Sequence, residues 1–509
     1  MRDPVHIDLL PLGKSLRVER GTRLQDALFS FGVEFPCGGR GRCQGCKIRL
    51  AKGDLPVSDD DARLLDAAQI GAGWRLACRA TAQSDLKVEI GQWETAVLVD
   101  NSAFEFTPQE GLGVAVDLGT TTVVAQLVDL RTAQVVSVRA ALNAQAKRGA
   151  DIMSRVEYAV AKRGQPKLTY VIRSQIGKMI QEMVEGAKEF PANVTQVVVV
   201  GNTVMHHLFC GIDLEPLSHY PFEPVYYGLQ IFRAEYLDWK IRGNPTIRFL
   251  PCLGGFVGSD ILAGVLATRL HESSSLVALI DLGTNGEIVV GHSKRLLCAS
   301  TAAGPAFEGA RISHGMRAAT GAISEVAAVN GQLQCRAIGG GSPRGICGSG
   351  LVDAIAAGLD LGWIESSGKL ARGSSMLACP GIALTQGDIR ELQLAKGAIA
   401  AGFRMLVERS GVRVKDVTRL YLAGAFGNYV NVINGRRIGL LCTEPERVQP
   451  SGNTALLGAK LALFGLNEHD GAYSDLLKKI EHVPLNEDPQ FQEIYVDEMR
   501  FPETAFPVR

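Results

Sequence analysis

Four cysteines, Cys37, Cys43, Cys46 and Cys78, are spaced C-x5-C-x2-C-x31-C, the first three inside the glycine-rich run Pro36-Cys-Gly-Gly-Arg-Gly-Arg-Cys-Gln-Gly-Cys46. Three thiolates on one tight loop, with a fourth arriving from a distant strand, make a cage for a [2Fe–2S] cluster; the first gap is one residue longer than in the plant-type spacing. Loop glycines let backbone N–H groups turn toward the cluster sulfurs. A structural zinc site is the competing use of four cysteines, but such sites show two short C-x2-C pairs, and here Cys37 and Cys78 stand alone.

Aspartates at the ends of apolar strands supply a second chemistry. The run Gly113-Val-Ala-Val-Asp-Leu-Gly-Thr-Thr-Thr-Val-Val-Ala125 predicts a buried strand ending in Asp117, a turn through Gly119, Thr120, Thr121 and Thr122, and a second strand to about Leu130. The same grammar returns 164 residues later, where Leu276 to Val290 gives a strand, Asp281, a turn through Gly283, Thr284, Asn285 and Gly286, and a strand. An internal duplication follows, each half giving one hairpin to a central cleft. Glycine permits the tight turn, successive N–H groups and threonine hydroxyls can hold phosphate oxygens, and a strand-end carboxylate can take a hydrated Mg²⁺. One such hairpin is ordinary; two facing each other would clamp a triphosphate. A third element, Thr418-Arg-Leu-Tyr-Leu-Ala-Gly-Ala-Phe-Gly427, is a buried strand emptying into the loop Gly424, Ala425, Phe426, Gly427, where an adenosine can lie against bare backbone.

The elements that position these groups are legible in outline. His6-Ile-Asp-Leu-Leu10 and Ser15-Leu-Arg-Val-Glu19 predict two strands joined around Gly13, and Thr22-Arg-Leu-Gln25 predicts a capping box opening a helix whose Leu24, Ala27, Leu28 and Phe31 share a face. That helix delivers the chain to the cysteine loop. Ile48-Arg-Leu50 and Leu86-Lys-Val-Glu-Ile90 complete a small sheet, so this module closes near residue 92. Further on, Leu168, Val171, Ile172, Ile176, Met179, Ile180 and Met183 fall at helical spacing and predict a core-facing stripe.

A chain of 509 residues exceeds one core, so several domains are expected. No N-terminal signal peptide is evident and no apolar run approaches the ~18 residues of a membrane span, which points to a soluble, cytoplasmic protein. With 53 basic and 53 acidic residues, no global field favours nucleic acid or an anionic membrane. Cys210, Cys252, Cys298, Cys335, Cys347, Cys379 and Cys442 show no paired spacing and are expected as reduced core thiols.

The two hairpins and the Gly-Ala-Phe-Gly loop, in this order, resemble the phosphate and adenosine motifs of the acetate and sugar kinase, Hsc70 and actin superfamily. The helices after Gly254-Gly-Phe-Val-Gly-Ser-Asp260 and Ser451-Gly-Asn-Thr-Ala-Leu-Leu-Gly-Ala459 would be its two connecting helices. With the ferredoxin in front, the whole chain resembles the reductive activators of corrinoid-dependent methyltransferase systems. Supporting runs are Gly149-Ala-Asp-Ile-Met-Ser-Arg155, Gly201-Asn-Thr-Val-Met-His-His-Leu208, Ala303-Gly-Pro-Ala-Phe-Glu-Gly309 (whose Gly304 joins the nucleotide residues), Ile346-Cys-Gly-Ser-Gly-Leu-Val-Asp353 and Asp388-Ile-Arg-Glu-Leu-Gln-Leu-Ala-Lys-Gly397.

The resemblance implies a fold that joins an α+β module, a β-grasp [2Fe–2S] ferredoxin over 1–92, by a linker over 93–111 to a duplicated, RNase H-like α/β ATPase domain over 112–509. Within the latter, lobe one would cover about 112–270 and lobe two about 271–465, with a C-terminal tail over 466–509. Larger members carry a further small domain between the two modules, where this chain has about 20 residues. The implied activity is reduction of an inactive Co(II) corrinoid to Co(I), with an electron leaving the cluster and Mg-ATP assisting. Implied partners are the corrinoid protein and an external low-potential donor, since no G-x-G-x-x-G follows an early strand; a homodimer is the oligomer considered.

Competing readings are a small-molecule kinase using Asp260 or Asp353 as base, which leaves the ferredoxin without a job, and an ATPase switch with a redox-sensing ferredoxin. Arg40, Arg42 and Lys47 are either solvated charge or a docking patch for an acidic donor or corrinoid protein. His206 and His207 point in different directions on a helix and are read as packing or capping rather than as a metal pair. Lys396, in a helix capped by Thr385 and Asp388, is read as solvated, with reach to a nucleotide as the alternative. Replacing Cys43 or Cys46 by Ala is expected to abolish cluster assembly while residues 112–465 stay folded, because the modules have separate cores. Iron analysis with far-UV circular dichroism checks this, and normal iron content in either variant would remove the ligand assignment.

Overall fold

Along Pro4–Leu10, Val5, Ile7 and Leu9 turn inward, and along Leu86–Ile90 so do Leu86, Val88 and Ile90, giving each strand one apolar face. These two strands lie side by side and parallel, with Ile7 opposite Leu86. The full order is Lys14–Glu19, Pro4–Leu10, Leu86–Ile90, Lys47–Lys52, Trp74–Leu76, the β-grasp arrangement in which the first strand meets the last. The short helix Leu24–Leu28 buries Leu24 and Leu28. The expected capping box is absent: Thr22 pairs with Ala82 in a two-residue ladder, and its hydroxyl donates to the Glu19 carbonyl (2.7 Å). Strand pairing claims the Thr22 backbone before the helix begins.

The computed structural model describes residues 3–10, 14–28, 31, 33, 41, 46–90, 104–149, 151–187, 193–283, 285–319, 321–338, 342–465 and 473–503. They form two compact units. One contains Met1–Ala96, Ala146–Asp151 and Pro305–Leu392; the other contains Val97–Gln145, Ile152–Gly304 and Gln393–Arg509.

In the first unit the ferredoxin sheet is joined by a hairpin, Ala322–Val329 with Gln332–Ala337, and by the helix Gly348–Asp360, whose residues from Gly348 to Leu359 are all buried. A helix apolar all round belongs in a core. Arg344 Nη2 lies 2.9 Å from Glu89 Oε1 on the last ferredoxin strand. The contact is an ion pair rather than an aligned hydrogen bond, since that nitrogen has no acceptor of suitable geometry. Cys335 and Cys379 form a disulfide across 44 residues, their Cα atoms 6.0 Å apart, which corrects the expectation of scattered thiols. The tertiary pairing of two hairpins brings them together, and no sequence spacing announces it.

The second unit contains two six-stranded sheets built to one plan. In the first, Leu112–Leu118 lies between its antiparallel return strand Thr122–Asp129 and the parallel strand Val194–Gly201. In the second, Val277–Leu282 lies between antiparallel Gly286–His292 and parallel Arg419–Ala423. Both central strands are apolar on both faces, as strands covered on both sides must be. The helix Gln165–Gly186 presents the expected stripe, burying Leu168, Ile172, Ile176, Met179, Ile180 and Met183. Part of the expected linker is fixed: Phe104 packs edge-on and Phe106 tilted against Phe464, at 5.3 and 4.9 Å between ring centroids. The C-terminal segment is also built in. Ile480–His482 extends the second sheet in parallel to Arg295–Thr301, and Lys396 Nζ donates to the Arg500 carbonyl (2.5 Å) above the Phe501 ring. Lys396 is therefore neither solvated nor directed at a nucleotide, and burial lowers its pKa to about 8.

Two helices, Ser259–Ala267 and Thr454–Gly465, pack against each other and the sheets through Ile261, Leu262, Val265, Leu456, Ala459 and Leu463. They cross where Gly458 meets Ala263; a Cβ on Gly458 would lie 2.1 Å from the Ala263 carbonyl oxygen. Gly458→Ala would gain ~1 kcal/mol of helix propensity, yet the forced separation is expected to cost about 1–3 kcal/mol more than that. A net loss in urea unfolding checks it; an unchanged or raised midpoint would remove this crossing as a constraint.

Candidate nucleotide site and cluster ligands

Asp117 ends the strand Leu112–Leu118 and Asp281 ends Val277–Leu282, as the paired sequence pattern requires. The first turn closes with Gly119 N–H donating to the Thr122 carbonyl (3.0 Å). It is tied from within the lobe: Asn143 Nδ2 donates to the Gly119 carbonyl (2.9 Å), Asn202 Nδ2 to Thr120 Oγ1 (2.9 Å), and the fully buried Arg155 to the Thr120 carbonyl (2.5 Å). Thr121 N–H and C=O flank the same turn, with its carbonyl accepting from Asn143 N–H (2.8 Å). The second turn closes with Gly283 N–H on the Asn285 carbonyl (3.0 Å), and Gly286 begins the return strand. Thr284 lies outside the described residues.

The third predicted element arrives beside the second hairpin. Arg419–Ala423 runs parallel to Val277–Leu282 with Ala423 opposite Asp281, and Gly424 to Gly427 form one helical turn. Gly424 has φ +85°, and a Cβ there would lie 2.6 Å from both Asp281 Oδ1 and the Leu282 carbonyl. Only glycine permits this close approach. Phe426 is half-buried in that turn, and the Ala425 side chain is outside what is described. Gly304 occupies a left-handed position, and among the described contacts none joins it to the hairpins.

Two further carboxylates complete the site. Asp260 stands in the first turn of the helix Ser259–Ala267, and buried Glu287 lies directly opposite Asp281 across the hairpin. Ser300, opposite Glu287 on the next strand, donates to it (3.4 Å). Asn453 caps the helix Thr454–Gly465: its Oδ1 accepts from Leu456 N–H (2.8 Å) and its Nδ2 donates to Asp117 Oδ2 (2.9 Å). Sequence reading missed Asn453, Asn143, Arg155, Asn202 and Glu287, and gave Asp260 only a kinase role. Asn453 was recoverable, since an Asn just before an apolar helix is an N-cap signature; the others are united only by the fold.

Asp117, Asp260 and Asp281 keep part of their surface open while protein surrounds them on the remaining sides. Burial raises the Asp117 pKa to about 6, against the Asn453 hydrogen bond, and raises Asp281 to about 7 with help from Asp117. Burial and then the neighbouring aspartates push Asp260 up, and burial followed by Asp260 and Asp281 pushes Glu287 well up. Among the described residues no group of three or more His, Cys, Asp or Glu is placed to hold a metal ion directly, so a hard divalent ion here, such as Mg²⁺, would be bound through water and would hold the carboxylates ionised.

Of the four cysteines expected to hold the cluster, Cys46 and Cys78 are described and both are buried. Antiparallel pairing of Lys47 with Leu76 and the hydrogen bond from Ala77 N–H to the Cys46 carbonyl (3.0 Å) bring them to one end of the ferredoxin sheet. That placement fits two thiolates of one cluster. Cys37, Cys43, Arg40 and Arg42 lie outside the described residues. Lys47 is half-buried with its ammonium 6.0 Å from the Trp74 ring centroid, so it is no freely solvated charge. His206 and His207 are buried, bonded to the Gly228 and Thr203 carbonyls, and burial holds both neutral; the His206 pKa falls to about 3. Among the described residues no helix is long and apolar enough to cross a membrane.

Family models match along the chain: the 2Fe-2S iron-sulfur cluster binding domain over residues 7–83, the RACo middle region over 112–273, and the C-terminal domain of RACo, the ASKHA domain, over 275–508. The corrinoid activation enzyme RamQ of Eubacterium limosum is 35% identical over 415 residues, covering 75% of this chain and 69% of that one. The [Co(II) methylated amine-specific corrinoid protein] reductase of Methanosarcina barkeri is 28% identical over 424 residues, covering 76% and 77%. A solved reductive activator for corrinoid,iron-sulfur protein superposes with a TM-score of 0.68 at 27% identity, over 98% of each chain.

The raised carboxylate pKa values carry a sign. The folded protein retains protons that the unfolded chain releases from about pH 4, so without metal its stability falls as pH rises through 6 and 7. Asp281→Asn is therefore expected to raise the melting temperature of the metal-free protein more at pH 8 than at pH 5. The same variant, like Asp117→Asn, should lose most of the stabilisation conferred by Mg-ATP. Thermal melts at both pH values with and without Mg-ATP check this; a variant that keeps the full Mg-ATP shift would place the metal elsewhere.

Proposed function

The chain belongs to the family of reductive activators of corrinoid proteins, and from that membership we propose that it reduces the inactive Co(II) corrinoid of a methyltransferase system to Co(I), one electron at a time, in an ATP-dependent reaction. The observation that carries this reading is the union, on one chain, of cluster cysteines and a pair of aspartate hairpins, with a relative of this activity aligned over 98% of both chains. Cys37, Cys43, Cys46 and Cys78 would hold the [2Fe–2S] group, which supplies single electrons when bound.

Nucleotide chemistry falls to the second unit. Asp117 and Asp281 would orient hydrated Mg²⁺, Asp260 would assist them, and the turns Gly119 to Thr122 and Gly283 to Gly286 would hold phosphate oxygens. Gly304 and the turn Gly424 to Gly427 would receive the nucleoside. Asn453 joins Asp117 to the end of a helix, so nucleotide binding at the carboxylates has a mechanical route into the helix crossing at Gly458. In this reading the domains would be the ferredoxin over 1–92 and the nucleotide lobes from 112, with Pro305–Leu392 grouped in the ferredoxin's compact unit.

The magnitude of the task bounds the role of ATP. A coupling free energy between two ligand sites is typically ~1–3 kcal/mol, equivalent to roughly 40–130 mV for one electron. A wider gap between cluster and cobalt requires ATP turnover, trapping of Co(I) by methylation, or altered cobalt ligation. The external electron donor would be a separate low-potential protein, the setting cytoplasmic, and the assembly a homodimer; nucleic acid and membrane have no part in this reading.

Prereduced protein plus Mg-ATP should convert a partner Co(II) corrinoid protein to Co(I), followed by absorbance or by methyl capture, and omission of ATP or the Asp281→Asn change should lower rate or yield at least about tenfold. ATP-independent reduction, or phosphorylation of a small acid or sugar by the same preparation, would favour the kinase reading.

A further inference from the structure

A cleft of about 1040 Å³ in the second unit lies apart from the nucleotide carboxylates, between the helix Gln165–Gly186, the chain after Gly211 and the segment Tyr236 to Lys240. At its floor Arg173 is held in place before any ligand arrives. Its Nε donates to the Phe209 carbonyl (2.7 Å), and its guanidinium carbon stands 5.8 and 5.4 Å from the Phe209 and Phe232 ring centroids. Trp239 Nε1 donates to the Arg173 carbonyl (2.9 Å), fixing the backbone as well. No carboxylate among the described residues pairs with this half-buried guanidinium, and burial lowers its pKa. An arginine pre-set by aromatic stacking, with its two terminal amino groups unclaimed, has the geometry that grips a carboxylate bidentately.

The walls give the charge and the shape. Arg173, Lys178 and Lys240 stand against Asp213 and Asp238, and Asp213 is engaged by the Glu215 N–H (3.0 Å). Tyr170 and Tyr236 rise at the rim, 64% and 76% exposed. In the same unit Tyr220, Val225, Tyr226, Tyr227 and Ile231 are also exposed, and Ile231 belongs to Gln230–Arg233, the outermost strand of its sheet. Exposed tyrosines around a half-buried arginine compose a protein-binding surface rather than a closed small-molecule site.

We propose that this cleft receives an acidic segment of the corrinoid protein partner, with Arg173 taking a carboxylate and Tyr170 and Tyr236 closing over the segment. The identity of the partner rests on the function proposed above; the acidic character rests on Arg173, which no described carboxylate pairs, and on Lys240, since Lys178 already pairs with Glu182 (3.8 Å).

Binding of the Co(II) corrinoid protein by calorimetry tests it, using wild type, Arg173→Gln and the surface double variant Lys240→Glu with Tyr236→Ala. Arg173→Gln should weaken binding about tenfold or more and the double variant several-fold, with losses that shrink at high salt. Mg-ATP affinity and cluster absorbance should stay at wild-type values, which shows that the variants fold. The double variant keeps the test valid if removing Arg173 disturbs the Phe209 and Phe232 packing. Wild-type affinity in both variants overturns the cleft while leaving the function intact; a wild-type protein that neither binds nor reduces the corrinoid protein overturns both.

Discussion

Asp117, Asp260, Asp281 and Glu287 share a cleft from which protein excludes most water, and like charges at such range cannot all be ionised there. Much of the second unit serves to keep them together in spite of that cost. Each strand-end aspartate stands at the edge of a sheet whose central strands are apolar on both faces, so neither can retreat without exposing a core. Asp260 and the Asn453 that binds Asp117 stand at the starts of two helices, where unpaired backbone N–H groups favour negative charge. A cation arriving with its nucleotide at the proposed site would relieve the repulsion, leaving the site strained when empty and relaxed when filled.

That difference in state is what an ATP-responsive protein needs. The helix crossing at Gly458 and Ala263 leaves no slack for one helix to shift alone, and both helices begin at the carboxylates. Filling the proposed site would therefore act on both helices at once. The ferredoxin fold needs no part in this chemistry: its sheet brings Cys46 and Cys78 together by strand pairing, and its core is separate from the carboxylate sheets.

Periodicity exposed the elements that bury one continuous stripe or strand. The helix Gln165–Gly186 and both aspartate hairpins are examples, because local apolar spacing is itself the cause of their burial. Readings that depended on which neighbour wins a polar group fared differently. Thr22 was claimed by a ladder and not by a cap, Lys396 by the Arg500 carbonyl and not by water, and Cys335 by Cys379.

The sequence by itself determined the chemistry: cysteine spacing for a cluster, strand-end aspartates followed by glycine and threonine for Mg-nucleotide, and their order for the family. These are short-range patterns, carried by residues within one turn or hairpin. Only the tertiary structure decided that Glu287 faces Asp281, that Asn453 reaches Asp117 across 336 residues, and that Arg173 stands beside two phenylalanines with no counter-ion among the described residues. Those facts depend on strand register and helix crossing, which arise from packing among segments distant in sequence and leave no local trace.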